Sequence, residues 1–267
     1  MKLVRWLTVL LFAVTTVYFA FYTIKDKAET DAVPPVISCT SDTLEASIHA
    51  DEAALLEGMS AEDDRDGDVT GSLVVVSKSK FMETGKRRVN YAVFDSYGNV
   101  ATYSRILTYT DYVSPRFSIS EPLRFNANTW SYSLLDKIRA EDCIDGNISG
   151  LIKYRFDSDN VYSGEPCKAG VTFQVTNSAG DTALLPVYVE LLSEEEYAKP
   201  YPVLTEYLVY TQLHQELNPR DYLTGDLFIS GNVTIDDQVD YTTPGVYEIV
   251  YTLAGQGSVT LYVVVEE

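Results

Sequence analysis

An acidic loop holds the residues of this sequence that best fit a chemical role. Asp63, Asp64, Asp66 and Asp68 lie within one short segment. Carboxylates are the hard oxygen ligands that Ca²⁺ takes, about six to eight at a time. The alternative is structural: Asp66 forms a turn with the following glycine, Asp63 accepts main-chain hydrogen bonds, and the remaining carboxylates are solvated. We predict that the structural interpretation holds and that the protein needs no cofactor, with a calcium site at this loop as the alternative.

Two cysteines near one another in the sequence suggest a second kind of chemistry. A disulfide between Cys143 and Cys167 would close a loop of roughly 25 residues and contribute about 3 kcal/mol in an oxidising compartment. The alternative is a pair of buried thiols. The third cysteine, Cys39, lies outside this candidate pair, and we expect it to be buried at the start of a strand.

Catalytic motifs are missing from the sequence. The two histidines, His49 and His214, are far apart in the chain, and no nucleophile elbow, zinc-protease, P-loop or dinucleotide-binding pattern occurs. We predict that the protein is not an enzyme. The formal charge is −19, and because the first thirty residues carry +2, the remainder carries −21. Such a chain lacks the basic surface that nucleic acid requires, so nucleic-acid partners are excluded.

The elements that position these residues are internal repeats. Residues 55–73 (LLEGMSAEDDRDGDVTGSL) align without a gap with residues 134–152 (LLDKIRAEDCIDGNISGLI). Residues 89–104 likewise match residues 171–186, so that Asp95 corresponds to Asn177. A third, more diverged copy covers 218–235 and 241–265, and the period is about eighty residues throughout.

Apolar residues alternate with a period of two inside each copy, as in a half-buried strand. Val89, Tyr91 and Val93 lie on one predicted face, and Asp-, Asn- and Gly-rich segments between the strands predict tight turns. Helical turns are expected only at 53–57 and 216–222. Short strands at regular spacing predict an all-β fold, with three tandem Ig-like β-sandwich modules after one N-terminal transmembrane helix.

The repeat motifs resemble those of bacterial Ig-like domains that occur in tandem on surface proteins, a type also appended to an insecticidal crystal toxin. The matching segments are AEDDRDGDVT (61–70), NYAVFDSYGNVA (90–101) and TPGVYEIVYTL (243–253), with a proline-containing entry at Pro34 and Pro35. The resemblance covers almost the whole chain from residue 31 onward. It implies β-sandwich modules and a role as an adhesin stalk, a spacer or an accessory module.

The predicted organisation has five parts. They are a signal-anchor transmembrane segment (1–30), Ig-like domain 1 (31–111), Ig-like domain 2 (112–192), a linker (193–207) and Ig-like domain 3 (208–267). We refer to the three domains as repeats one, two and three.

The first segment predicts a membrane anchor. Residues 6–24 are uncharged and mostly apolar, and a helix of this length spans roughly 28 Å, close to the thickness of a bilayer core. Trp6, Tyr18 and Tyr22 suit the aromatic belts at the two membrane interfaces. The alternative is a cleaved secretory signal, which ordinarily has a shorter apolar core and a small-residue cleavage site.

The functional prediction follows from this organisation. We expect a single-pass bacterial membrane protein whose C-terminal domains are extracellular and act in adhesion or display, without catalysis. Its partners would be membrane lipid, through the N-terminal helix, and a protein or glycan ligand. The alternative is a structural subunit or spacer of a cell-envelope assembly that contacts partners through the transmembrane helix and the first domain.

Overall fold

The chain folds mostly into β-sheets after one long N-terminal helix. The computed structural model describes residues 2–29, 31–130, 133–224 and 232–267. The chain divides into two compact units, Met1–Asp111 and Tyr112–Glu267. The first unit contains repeat one, and the second contains repeats two and three. The division into three separate domains stays a prediction.

The N-terminal helix α1 spans Lys2–Glu29. Its threonines satisfy their hydroxyl groups within the helix, as when Thr8 donates to Val4 O at 3.2 Å and Thr23 donates to Phe19 O at 2.9 Å. Back-bonding of this kind removes the need for an outside partner, which suits an apolar surrounding. The long apolar side chains of α1 are exposed along its whole length.

Repeat one contains two sheets. Its strands are β1 (Val36–Cys39), β2 (Thr43–Ala46), β3 (Met59–Asp63), β4 (Gly67–Asp68), β5 (Val74–Glu83), β6 (Lys86–Phe94) and β7 (Val100–Tyr109). One sheet has the order β1-β3-β4 and the other β2-β7-β6-β5. The short helix α2 (Glu52–Leu55) begins at Asp51, whose side chain accepts from Ala54 N at 2.9 Å, and it overlaps the predicted helical turn at 53–57.

The core of repeat one lies between these two sheets. Val89, Tyr91 and Val93 are fully buried on β6, as the pattern predicted, and Ala92 on the opposite face is buried as well. Met59 and Ala61 of β3 belong to the same apolar cluster. Burial of apolar side chains from both sheets in one core gives repeat one a sandwich-like arrangement.

Repeat two has the same plan. Its strands are β8 (Arg116–Ile119), β9 (Arg124–Asn126), β10 (Ile138–Asp142), β11 (Gly146–Asn147), β12 (Lys153–Phe156), β13 (Cys167–Thr176) and β14 (Thr182–Leu192). The sheets have the orders β11-β10-β8 and β12-β13-β14-β9. β3 and β10 share one burial pattern, with their final aspartates, Asp63 and Asp142, both buried. The sequence alignment of the two repeats therefore extends to their structure.

Repeat three forms a single sheet in the described residues. The helix α3 (Glu194–Tyr197) precedes β15 (Leu208–Gln212), β16 (Val233–Asp237), β17 (Gly245–Leu253) and β18 (Ser258–Glu266), in the order β15-β18-β17-β16. A 3₁₀ turn at Pro219–Tyr222 lies within the predicted helical segment 216–222. A second sheet, and hence a third sandwich, stays a prediction.

Repeats two and three share one hydrophobic core. The Phe117 N–H donates to the Tyr210 hydroxyl at 2.9 Å, and an ion pair joins Arg116 to Glu266. Within the predicted linker 193–207, Leu204 and Tyr207 are buried at 4% and 7% exposure. These contacts make residues 112–267 one compact unit.

Each repeat also pairs an early strand in parallel with its last long strand. The pairs are β2 with β7, β9 with β14, and β15 with β18. In repeats one and two the entry segment therefore contributes to both sheets, because β1 and β8 pair antiparallel with β3 and β10. The parallel pairing sets the early strand of each repeat alongside its last long strand, with both strands running in the same direction.

Candidate functional site

Three carboxylates of repeat one lie close together although they are far apart in the sequence. Asp31 precedes β1, Asp63 ends β3, and Asp95 follows β6. One carboxylate oxygen from each lies within 4.8 Å of the others. The three residues are 6%, 7% and 9% exposed. We call these residues the aspartate cluster.

Asp63 is held by the turn that follows β3. Its Oδ1 accepts hydrogen bonds from the N–H groups of Arg65 and Asp66, both at 2.9 Å. Gly67 completes the turn with φ of +72°, a conformation that glycine adopts without steric cost. The main-chain bonds to Asp63 agree with the structural interpretation of the loop. Asp63 Oδ2, however, is buried and has no hydrogen-bond partner.

Asp95 is held by the turn between β6 and β7. Its Oδ1 accepts from Tyr97 N at 2.9 Å and Asn99 N at 2.7 Å, and its Oδ2 accepts from Asn99 Nδ2 at 2.6 Å. Desolvation acts to raise the pKa of Asp95, but the hydrogen bonds from Asn99, Tyr97 and Gly98 outweigh it and lower the pKa below its ordinary value. Asp95 is therefore an ionised group at neutral pH.

Asp31 completes the cluster from the segment before β1. Its Oδ1 accepts from Val33 N at 2.9 Å, and its main-chain carbonyl accepts from Asn99 Nδ2 at 3.3 Å. Its Oδ2 is buried and has no hydrogen-bond partner, although Arg65 Nε lies 3.9 Å away. The cluster thus has three carboxylates and a neighbouring guanidinium.

The other predicted ligands have different roles. Asp64 is exposed. Asp66 accepts hydrogen bonds from Ser96 N at 2.6 Å and Ser96 Oγ at 2.9 Å. Asp68 accepts from Thr70 N at 2.9 Å, and its hydrogen bonds with Thr70 lower its pKa. Of the four predicted calcium ligands, Asp63 belongs to the aspartate cluster.

Local sequence patterns did not indicate Asp31 or Asp95 as candidate ligands. The signal that could have revealed Asp95 is its alignment with Asn177, a charge difference between otherwise similar turns. Asp31 offers a weaker signal, because it lies outside the aligned segments.

In repeat two, the buried aspartate has an amide as its neighbour instead of a second carboxylate. Asp142 Oδ1 accepts from the N–H groups of Ile144 and Asp145 at 2.9 Å, as Asp63 does in its own turn. Asp142 Oδ2 accepts from Asn177 Nδ2 at 3.0 Å, and the same amide donates to the Tyr112 hydroxyl at 2.9 Å. In repeat two the inner oxygen therefore has a hydrogen-bond donor.

The cysteine pair forms no disulfide in the described part of the chain. Cys143 Sγ donates a hydrogen bond to Val113 O at 3.1 Å, and Cys167 is half-buried at the start of β13. A disulfide between Cys143 and Cys167 stays a prediction. The prediction that Cys39 is buried at the start of a strand is wrong, because Cys39 ends β1 and is half-buried, and its thiol donates to Ser41 O at 3.0 Å.

The predicted anchor residues lie on the exposed surface of α1. Trp6, Tyr18 and Tyr22 are exposed by 75%, 68% and 61%, and the two tyrosine rings stack at 6.4 Å between centroids. The stretch Leu3–Lys25 is long and apolar enough to cross a membrane. A secretory signal has the same properties, so the anchor and the orientation stay predictions.

Comparison with known proteins gives no family. No family model and no curated protein matches the chain, so the resemblance to bacterial Ig-like domains stays a prediction. Solved structures that match include the CBM51-2 domain in complex with GlcNAc and INT domains from Clostridium perfringens ZmpB. That match has 18% identity and a TM-score of 0.24, over 53% of this chain and 28% of that one.

Two further structural matches cover more of the chain. A lipoprotein from Bacteroides thetaiotaomicron matches at 12% identity and a TM-score of 0.22, over 85% of this chain and 98% of that one. Mouse cadherin-23 EC22-24 matches at 12% identity and a TM-score of 0.19, over 88% of this chain and 99% of that one. These similarities are too weak to assign a family or a function.

Proposed function

We propose that the protein is a single-pass bacterial membrane protein that displays its β-sheet units outside the cytoplasm as non-catalytic binding modules. The observation that carries this proposal is the exposed apolar surface of α1. No part of the 23-residue stretch Leu3–Lys25 is buried, and a helix of this length is about 35 Å long. Such a surface is stable in a bilayer and costly in water.

The compact unit Tyr112–Glu267 supports a role in presentation. Repeats two and three are joined by a shared core, by the Phe117–Tyr210 hydrogen bond and by the ion pair of Lys168 with Glu248 at 2.7 Å. A binding surface on such a unit is preorganised, which lowers the entropy cost of binding.

Exposed tyrosines support a protein or glycan as the ligand. Tyr154, Tyr162 and Tyr188 of repeat two are 38%, 68% and 48% exposed. Tyrosine offers a large contact area at low entropy cost, both to polypeptides and to sugar rings. The net charge of −19 opposes binding to nucleic acid and to anionic surfaces.

The experiment that tests this role is crosslinking on intact producing cells, with identification of what the β-sheet units are attached to. Protease accessibility from outside, with no envelope protein crosslinked, is the result expected for an outward-facing binding module. Reproducible crosslinks to the cell's own envelope proteins would contradict the proposal and favour the assembly subunit.

Two variants make the test sharper. In the first, an unrelated apolar helix replaces residues 6–24, a change that a display protein should tolerate and an assembly subunit should not. The second ends after Asp111, because this point lies between the two compact units. Ending after residue 193 would instead remove Leu204, Tyr207 and Leu208 from a shared core. If the loss of Tyr112–Glu267 leaves ligand binding intact, the binding surface does not lie there.

A further inference from the structure

The aspartate cluster has more negative charge than its surroundings compensate. Asp31, Asp63 and Asp95 place one carboxylate oxygen each within 4.8 Å of one another. Arg65 Nε lies 3.9 Å from Asp31 Oδ2 and provides one positive charge, on a side chain that is 40% exposed. Buried like charges at this separation repel strongly, because the surrounding dielectric is low. Two negative charges remain for a cation to balance.

Hydrogen bonding in the cluster points to the same conclusion. Asp31 and Asp63 each use Oδ1 to accept main-chain N–H groups, while Oδ2 is buried without a hydrogen-bond partner. A buried carboxylate oxygen without a hydrogen-bond partner costs free energy, because its hydrogen bonds to water are not replaced. A metal ion would supply that missing interaction for both oxygens together.

We propose that Asp31, Asp63 and Asp95 bind one Ca²⁺ ion. The ligand set consists of carboxylate oxygens, which suit a hard cation, whereas Zn²⁺ prefers nitrogen and sulfur. Ca²⁺ accepts irregular oxygen geometry and takes water for its remaining positions, whereas Mg²⁺ demands a near-ideal octahedron. The site is independent of the role proposed above and does not require it.

Repeat two explains why only one of the two matching turns should bind the ion. Asp142 occupies the place of Asp63, but its Oδ2 accepts a hydrogen bond from Asn177. The amide of Asn177 stands where repeat one has the carboxylate of Asp95. In repeat two a hydrogen bond satisfies the inner oxygen of the aspartate, whereas in repeat one a cation does so.

The ion would join three segments that are distant in the sequence. Asp31 is two residues beyond Glu29, the last residue of α1, while Asp63 and Asp95 belong to turns of the sandwich. Binding therefore fixes the segment that follows the helix to the body of repeat one. Calcium would thus stabilise the first segment of repeat one against the two turns.

Titration calorimetry on the purified full chain in detergent, after removal of metal with EGTA, tests the proposal. We expect one equivalent of Ca²⁺ per chain and binding of Mg²⁺ weaker by about tenfold or more. Asp95→Asn, which introduces the residue of repeat two, should weaken Ca²⁺ binding by about tenfold or more, because one charged ligand is lost. The matched control is Asp64→Asn, which removes the same charge from the same loop and should change the affinity by less than about threefold.

Hydrogen exchange gives a second readout that separates loss of the site from loss of folding. Ca²⁺ should slow exchange at residues 31–33, 63–66 and 95–99 in the wild-type chain, and leave the turn at residues 142–145 unchanged. At a Ca²⁺ concentration that half-saturates the wild-type chain, Asp95→Asn should show much less of this slowing, while exchange of the β6 core amides in EGTA stays at the wild-type level. Absence of Ca²⁺ binding by the wild-type chain, equal affinity for Mg²⁺, or a loss of affinity in Asp64→Asn as large as in Asp95→Asn would each overturn the proposal.

Discussion

Asn177 Nδ2 donates a hydrogen bond of 3.0 Å to Asp142 Oδ2, in the place where repeat one sets the carboxylate of Asp95 beside Asp63. The same pair of turns is therefore joined by a neutral hydrogen bond in one repeat and by facing carboxylates in the other. This difference between two otherwise similar repeats leads to the first prediction.

Asn177→Asp should destabilise the unit that contains repeats two and three. The substitution replaces the donor to Asp142 with a like charge, and we expect the free energy of unfolding to fall by about 1–3 kcal/mol at neutral pH in EGTA. Fluorescence of Trp130, which is 6% exposed, can follow urea unfolding of this unit. Asn147→Asp is the control, because repeat one has Asp68 at that position. An equal loss in both variants would contradict the explanation.

Asp111 should make the stability of the first unit depend on pH. It accepts hydrogen bonds from Ser47 Oγ at 2.6 Å and Ile48 N at 2.8 Å, and these bonds lower its pKa in the folded protein. A lowered pKa stabilises the fold above the unfolded value of about 3.8, and this contribution is lost as the pH falls through the folded value. Asp111→Asn should therefore be less stable than wild type at neutral pH.

The difference in stability between the wild-type protein and Asp111→Asn should shrink as the pH falls. Urea midpoints of the first unit, measured by hydrogen exchange from about pH 6 down to about pH 2, would show this. Asp64→Asn is the control, because that side chain is exposed. A constant difference between wild type and Asp111→Asn across this range would show that the carboxylate does not act through its titration.

Tyr91→Phe should weaken the core of repeat one. The hydroxyl of this fully buried residue donates to Leu55 O at 2.9 Å, and its removal leaves the carbonyl without that donor. We expect a loss of about 1–2 kcal/mol, measured by hydrogen exchange of β6 amides. Repeat two has Phe173 at this position, so the ring alone fits the site. Tyr97→Phe, at a residue 52% exposed, is the control and should have little effect.

Arg124→Met should destabilise the second unit more than a change at the exposed Arg116. Arg124 Nε lies 3.5 Å from Glu190 Oε2, and its guanidinium stacks on Tyr201 at 4.4 Å. Burial raises the pKa of Glu190 against the opposing effects of Arg124 and Lys168, so removal of Arg124 leaves a poorly solvated carboxyl group. We expect a loss of about 3 kcal/mol, followed by Trp130 fluorescence during urea unfolding.

Arg116→Met is the matched control for Arg124→Met. Its ion pair with Glu266 joins repeats two and three, but its side chain is 45% exposed. An exposed ion pair and a contact with the Tyr210 ring together contribute about 1 kcal/mol. If both arginine variants lose the same stability, burial of the Arg124–Glu190 pair has no special importance.

Local patterns predicted much of the fold. The alternation at Val89, Tyr91 and Val93 identified the buried face of β6, and the glycine-containing segment after it identified a turn. The role of Asp63 as an acceptor of main-chain hydrogen bonds also followed from its position before Asp66 and Gly67. These features depend on neighbours in the sequence, which a single chain reveals directly.

Features that depend on distant contacts could not be predicted in the same way. The aspartate cluster requires the segment before β1 to meet two turns, and no local pattern places Asp31 there. The burial of Leu204 and Tyr207 depends on the contact between repeats two and three. Residues 193–207 are rich in charged residues and proline, as a spacer is, and this composition gives no indication of that contact.

The parallel pairing of an early and a last strand determines how a repeat would respond to a pulling force. β2 runs alongside β7, in register from Thr43 with Ile106 to Ala46 with Tyr109. When the two ends of such a repeat are drawn apart, these strands slide along one another, and their hydrogen bonds bear the load together rather than one after another. For a protein held by a membrane at one end and by a ligand at the other, this short ladder would set the mechanical strength of the link.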